Sequence, residues 1–226
     1  MSSTLLPGVR AVSFDGDGTL WDLRAAMSAA LSQTSSHIAD RYGLTVAADA
    51  LARMRDEVAR DPDYRSATME VIRGESFRRC MQRAGLTEGR GPQEVLEFFL
   101  EARFTATAPY PEVPEVLSAL SQHIPLAYIT NGNTILERVG LAGYFKVAIV
   151  GQEIGVRKPD PRIYLRACAE LDLAPHEVLH VGDDPVEDWA AARQAGLRAV
   201  LLDRAGGSDN PSDLSFLLDR IWISGH

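Results

Sequence analysis

The chain is predicted to be an α/β protein, a parallel sheet with helices on both faces interrupted by a helical insert. Three observations predict this. Five apolar runs have the length of buried strands, helical stripes separate them, and the rhythm breaks between Trp21 and about Ala108, where no convincing strand occurs. Buried strands alternating with helices are the signature of a sheet covered on both sides.

In chain order, Val9–Phe14 is the first strand and opens into Asp15-Gly16-Asp17-Gly18. The insert follows. Leu23, Met27, Leu31, Ile38 and Tyr42 form one helical stripe, and Leu51, Met54 and Val58 a shorter one. Met69–Ala84 and Gln93–Phe104 add two more, the latter after Gly91-Pro92. The alternation then resumes. Strands are expected at Pro125–Ile129, Val147–Val150, Val178–Val181 and Ala199–Leu202. Between them, Val113, Val116, Leu117 and Leu120 share a helical face with Pro114 near its start, and Ile163, Ala167 and Leu171 share another. A third helix is expected over Asp188–Ala195, ending at Gly196. The division is therefore a sheet domain of residues 1–20 and 109–226 and a helical domain of residues 21–108, a usual size for a small domain.

Composition narrows the function classes. The chain has 226 residues, 46% of them apolar and 24% charged, enough to bury a core under an ordinary polar surface. The net charge of −8 argues against a broad nucleic-acid grip, which needs basic surface to displace counterions. No apolar run is long enough to span a bilayer, and Met1–Arg10 lacks a basic region followed by an apolar one, so a cytoplasmic protein is expected. Cys80 and Cys168 have no metal-ligand spacing and read as reduced, buried thiols. The insert holds twelve arginines against thirteen acidic residues, a nearly neutral balance expected to lie on solvated helical faces apart from one or two arginines that meet substrate. Lysine occurs only at Lys146 and Lys158.

The chemistry-bearing residues lie just after the strands. Asp15 and Asp17 end the first, where parallel sheets place ligands, and residues two apart on an extended chain point to one side. Two close carboxylates repel unless a cation neutralises them or one is protonated. One can then attack phosphorus while the other carries a proton; the bland alternative is a solvated Asp-Gly turn. Thr130, Asn131 and Gly132 offer a hydroxyl, an amide and a backbone N–H to phosphate oxygens, or else cap a helix. Lys158, in a proline-stiffened loop, is a compact charge suited to bridging a carboxylate and a phosphate, or else an ordinary loop lysine. Asp183 reads as a ligand for a hard cation, favouring magnesium over zinc. Asp188 reads as a helper carboxylate or a helix cap, and Asp184 as a helper or a group that binds the loop backbone. His180, in an apolar strand, reads as a satisfied core residue; His37, His123, His176 and His226 show no ligand spacing, and Trp189 and Trp222 read as packing residues.

Taken in order, Phe14-Asp15-Gly16-Asp17-Gly18-Thr19-Leu20, Thr130-Asn131-Gly132, Lys158-Pro159 and Gly182-Asp183-Asp184…Asp188 resemble the four signatures of the haloacid dehalogenase superfamily of phosphohydrolases. The resemblance covers nearly the whole chain, since the insert looks like that family's helical cap. It implies a Rossmann-like core with a mobile cap. It also implies that Asp15 attacks phosphorus to form an aspartyl-phosphate and that Asp17 protonates the leaving alcohol and then activates water. Thr130 and Asn131 would bind the phosphoryl group and Lys158 would offset charge. Mg²⁺ would be held by the Asp15 carboxylate, the Asp17 backbone carbonyl and Asp183. Gly16 departs from the family pattern, which mostly has a larger apolar residue there; this bears on the stiffness of the loop.

The relatives differ in ways this sequence can address. Dehalogenases of the superfamily lack the second aspartate, which disfavours carbon–halogen cleavage here. Phosphonate hydrolases use a cap lysine, and none occurs between Trp21 and Ala108. A sugar phosphomutase keeps both aspartates and stays an alternative, as does a non-catalytic binding module on the same scaffold. Thr130–Asn133 and His180–Asp184 look most like bacterial phosphatases acting on FMN or ribitylaminouracil phosphate. The expectation is a Mg²⁺-dependent phosphatase of a small-molecule phosphate ester, with no nucleic-acid or membrane partner.

Overall fold

The computed structural model describes residues 7–220 except Ser66, Thr87, Glu88 and Arg90; residues 1–6, Trp222 and His226 lie outside the described residues. In chain order the elements are β1 (Ala11–Phe14), α1 (Leu23–Tyr42), α2 (Ala48–Arg60), α3 (Met69–Arg83), α4 (Gly91–Ala106), α5 (Val113–Ser121), β2 (Leu126–Thr130), β3 (Val147–Val150), α6 (Gly151–Ile154), α7 (Pro161–Leu171), β4 (Val178–Gly182), α8 (Ala191–Gln194), β5 (Arg198–Leu201) and α9 (Phe216–Arg220). The chain forms two compact units, one up to Leu23 and from Ala108 onward, the other Arg24–Thr107.

The first unit is a five-stranded parallel sheet in the order β3-β2-β1-β4-β5. All four residues of β1 are buried, as are all five of β2 and of β4, which is why these strands read as continuous apolar runs. Val12, Phe14, Leu126, Tyr128, Leu179 and Val181 face one way and pack with Val116 and Leu117 of α5 and Leu217 of α9. Ala11, Ala127, Ile129, Ile149 and Val178 face the other way, against Ile163, Tyr164 and Ala167 of α7 and Ala192 of α8. Successive side chains of a strand alternate between faces, so one sheet supplies both cores. Leu23, read with the insert stripe, packs into the first of these sheet cores.

The expected helix over Asp188–Ala195 begins three residues earlier. Pro185–Ala190 forms a π-helical turn that continues into α8, and Asp184 caps it by accepting from Val186 N at 2.8 Å and Glu187 N at 2.7 Å. Asp188 is thus no cap; it lies inside the turn with its side chain buried. Gly196, with φ of 90°, ends the helix where the sequence places the stop.

The second unit consists of α1 to α4 about their own core, including Ile38, Leu51, Met54, Phe77, Met81, Val95 and Phe99. Thr68 caps α3, and α4 starts at Gly91, two residues ahead of the expected start, with Pro92 in its first turn. Arg73 and Arg103 are buried and so do not belong to a solvated face. Cys80 and Cys168 are free and buried. Trp189 does not pack inside: it is 38% exposed, with the Arg193 guanidinium 4.6 Å from its ring centre. Among the described residues no helix is long and apolar enough to cross a membrane.

Candidate active site

Strand order concentrates the signature residues. Connections from β1 run toward β2 and β3 on one side, then cross to β4 and β5 on the other, so β1 is central and its carboxyl end borders the crevice where such sheets bind ligands. Asp15 follows β1, Thr130 ends β2 and Asp183 follows β4. The Asp15 N–H donates to Val181 O at 2.9 Å, which carries the β1–β4 pairing into the site.

Asp15 and Lys158 are both buried, and the Lys158 ammonium donates to Asp15 Oδ1 and, at 2.6 Å, to Asp188 Oδ1. His180 is fully buried in β4; its Nε2 lies 3.2 Å from Asp188 Oδ1 and its Nδ1 2.9 Å from Ser13 Oγ. Ser13 and His180 are register partners on adjacent strands. Burial pushes the His180 pKa down despite the Asp188 carboxylate, so the ring is neutral at pH 7. The tautomer that satisfies both neighbours carries its proton on Nε2 toward Asp188 and accepts the Ser13 hydroxyl proton at Nδ1.

Burial raises the Asp15 pKa well above the usual carboxylate range; Lys158 opposes this rise, and the Asp188 and Asp17 carboxylates add to it. Burial works against the Lys158 charge too, but the carboxylates of Asp15 and Asp188 outweigh it and hold the ammonium protonated. Asp188 is also desolvated, yet the hydrogen bond from His180 and the Lys158 charge keep it ionised. The result is a Ser13–His180–Asp188–Lys158–Asp15 chain of contacts. The buried polar positions in β1 and β4 hint at it in the sequence, but pairing them requires the strand register.

Asp17 turns its Oδ1 to the Trp21 indole N–H at 2.7 Å, and its Oδ2 lies beside Gly132, where a Cβ would stand 2.5 Å away. Thr130 is buried, and its Oγ1 accepts the Gly132 N–H at 2.8 Å. That N–H was expected on a phosphate oxygen. The Asn131 amide, given the same expectation, is instead engaged on the lysine loop. Its Nδ2 donates to Lys158 O and to Glu187 Oε2, each at 2.9 Å, and its Oδ1 accepts Lys158 N at 2.8 Å. Asn131 thereby clamps the backbone that presents the Lys158 ammonium. Gly16 fits its surroundings closely: a Cβ there would lie 2.7 Å from the Trp21 ring and 2.8 Å from the Tyr128 hydroxyl. These two aromatic rings fill the space a larger residue would need.

Asp15, Asp183 and Asp188 each place a carboxylate oxygen within 4.8 Å of the other two. Burial of its carboxyl and the neighbouring Asp188 charge push Asp183 up to about 6, although the residue as a whole is exposed. A Cβ on Gly18 would fall 2.3 Å from Asp183 Oδ2, so the loop must carry glycine there to let that carboxylate in. Three carboxylates against one ammonium, with only oxygen donors, fit a hard divalent cation such as magnesium. The Asp188 oxygens already accept from Lys158, His180 and Asp184 N, which leaves Asp15 and Asp183 as the better-placed ligands. Asp184 lies outside this group, its Oδ1 on its own turn. One further support escaped the sequence reading: Arg204, after β5, donates to Thr19 O in the first signature loop and, at 2.5 Å, to Glu112.

A family model described as haloacid dehalogenase-like hydrolase matches residues 9–196. The chain belongs to that family. A phosphoserine phosphatase of Thermus thermophilus is 36% identical over 144 residues, 60% of this chain and 58% of that protein. A glyceraldehyde 3-phosphate phosphatase of Methanopyrus kandleri is 30% identical over 53% of this chain and 56% of its own length. The chain thus aligns with somewhat over half of each of these two relatives. The 5-amino-6-(5-phospho-D-ribitylamino)uracil phosphatase YigB of Escherichia coli is 30% identical over 96% of this chain and 92% of its own. Among solved structures, a 2-haloacid dehalogenase from Pseudomonas syringae superposes with a TM-score of 0.73 at 31% identity, covering 91% of each chain. The HAD-hydrolase YfnB from Bacillus subtilis, whose structure is bound to magnesium, superposes with a TM-score of 0.70 over 92% of this chain and 96% of that one; at 18% identity it speaks for the fold alone.

Proposed function

We propose that this hydrolase is a magnesium-dependent phosphatase that cleaves a small phosphate ester with Asp15 as its nucleophile. The observation that carries the reading is the placement of Asp15: buried at the end of the central strand, against the Lys158 ammonium, two residues before a second carboxylate. An Asp15 oxygen attacks phosphorus and the ester P–O bond breaks. Asp17, protonated at that moment, gives its proton to the leaving oxygen. The resulting Asp17 carboxylate then takes a proton from water, whose oxygen attacks phosphorus and releases phosphate and free Asp15. Lys158 offsets the charge that gathers on the phosphoryl oxygens, and Asn131 keeps it in place. The Thr130 hydroxyl would bind a phosphoryl oxygen. Asp15, the Asp17 backbone carbonyl and Asp183 would hold Mg²⁺, with Asp188 close by. The bound ion would screen the nucleophile from the phosphate dianion.

Asp15→Asn should lower phosphate release from an aryl phosphate in Mg²⁺ by more than about a thousandfold. Wild-type turnover in that variant would end the proposal. Likeness to the 2-haloacid dehalogenase raises carbon–halogen cleavage as a second reading, and Asp17 counts against it. Halide release from 2-haloacids without phosphate release from esters would reverse that ranking, and isomerised sugar phosphate without free phosphate would point to a mutase. Likeness to YigB along nearly the whole chain makes the ribitylaminouracil phosphate the first substrate to assay.

A further inference from the structure

Arg73 is 5% exposed, on the face of α3 that also buries Ile72, Ser76 and Phe77. Its guanidinium lies 4.7 Å from the centre of the Phe99 ring on α4. One turn beyond Phe99 on the same helix is Arg103, 6% exposed, with its guanidinium 4.2 Å from the Phe104 ring. Arg55 of α2 approaches the same place. Its Nη2 pairs with Asp56 at 2.9 Å, whereas its Nε is buried with no hydrogen-bond partner. Arg73 itself bonds to no carboxylate among the described residues, and burial followed by the Arg55 and Arg103 charges brings its pKa down to about 10.

This arrangement is costly as it stands. A largely buried cation without a hydrogen-bonded anion loses much of its hydration, and the Arg55 and Arg103 charges add repulsion that the nearby Asp56 carboxylate offsets only in part. An aromatic face offsets only part of that loss. An apolar residue of similar length would pack at Arg73 more cheaply. A guanidinium fork matches a carboxylate or phosphate bidentately, and an anion seated there would supply the missing partner. We propose that Arg73, with Arg55 and Arg103, forms an oxyanion-binding site inside the helical insert, built for the carboxylate or phosphate group of a small molecule. The site does not depend on the catalytic reading, since all three arginines belong to the second unit.

The test uses the full chain in EDTA, titrated separately with malonate and with inorganic phosphate. Side-chain NMR of ¹⁵N-arginine protein reads the Arg73 Nε–H signal, assigned through the backbone of residue 73. A saturable shift with either anion is expected, and the more effective anion identifies the group. By calorimetry, Arg73→Met and Arg73→Lys should bind that anion about tenfold to a hundredfold more weakly than wild type. Asp15→Asn should show the wild-type Arg73 response whether or not it turns over substrate, which separates this proposal from the catalytic one. No saturable shift with either anion would overturn it. So would identical isotherms in wild type and either folded Arg73 variant.

Discussion

Asp188 reaches back from the turn after β4 to set its Oδ1 2.6 Å from the Lys158 ammonium. The lysine is thus shared between the Asp15 carboxylate and one anchored by a histidine. This sharing makes Lys158 a structural element of the site, apart from the chemical role proposed for it.

Replacing Lys158 by Met leaves Asp15 and Asp188 buried together without a cation. The expected loss of stability is about 3–5 kcal/mol in metal-free protein at neutral pH. Urea unfolding in EDTA measures it, and a loss within the usual scatter of surface substitutions would show that the cluster is solvated.

His180→Phe keeps a ring of similar size but removes the donor to Asp188 and the acceptor for Ser13. Stability should fall by about 1–3 kcal/mol. Turnover should fall more than KM rises, because the lysine partner loses its orientation. Ser13→Ala in the His180→Phe background should cost less than in wild type, since the partner of the hydroxyl is already gone. Strict additivity would break the proposed chain.

Mg²⁺ should raise the thermal midpoint of the wild-type chain saturably, as a ligand that binds only the folded state does. Asp183→Asn should lose most of that gain. Equal stabilisation of the variant would remove Asp183 from the ligand set.

Glu75 in the insert accepts from Arg78 at 2.5 Å and Arg79 at 2.6 Å, and these hydrogen bonds hold its carboxyl down at about 2. The folded chain therefore binds fewer protons here than the unfolded one between about pH 4.5 and 2. The stabilisation is present above that window and lost as pH falls through it. Wild type should exceed Glu75→Gln by about 1 kcal/mol near neutrality. The gap should close toward pH 2 in paired unfolding curves; a gap independent of pH would reject the assignment.

A Cβ on Gly182 would lie 2.2 Å from Asp188 Cγ, whereas one on Gly143 would meet nothing within 4 Å. Gly182→Ala should therefore displace the Asp188 carboxylate and depress the proposed phosphate-ester turnover, and Gly143→Ala should change neither turnover nor stability. Wild-type turnover in Gly182→Ala would show that Asp188 can relax without consequence.

The strands were legible because β1, β2 and β4 are buried on both faces, a condition that writes itself into consecutive apolar residues. The insert helices were legible from their apolar stripes. The turn after β4 was not: both Asp184 and Asp188 are chemically able to cap, and only the backbone path decides that Asp184 does. The Asn131 clamp was hidden for a similar reason, since its partner Lys158 lies 27 residues further along. His180 was read correctly as satisfied, but Ser13 as its partner follows from the β1–β4 register, which no local periodicity encodes. Trp189 was misplaced because a large apolar residue near a helix start carries no mark of which side faces solvent.

Asp15, the proposed nucleophile, and Lys158 are 143 positions apart in the chain. At ordinary rates of translation Asp15 emerges from the ribosome roughly 7 to 30 s before Lys158. Throughout that interval the growing chain carries Asp15 with neither the ammonium nor the later carboxylates in existence. β1 must also wait for β4, its neighbour on one side of the sheet centre. Strand order and chain order together mean that the Asp15–Lys158–Asp188 cluster can close only after the fourth strand and Asp188 have been synthesised.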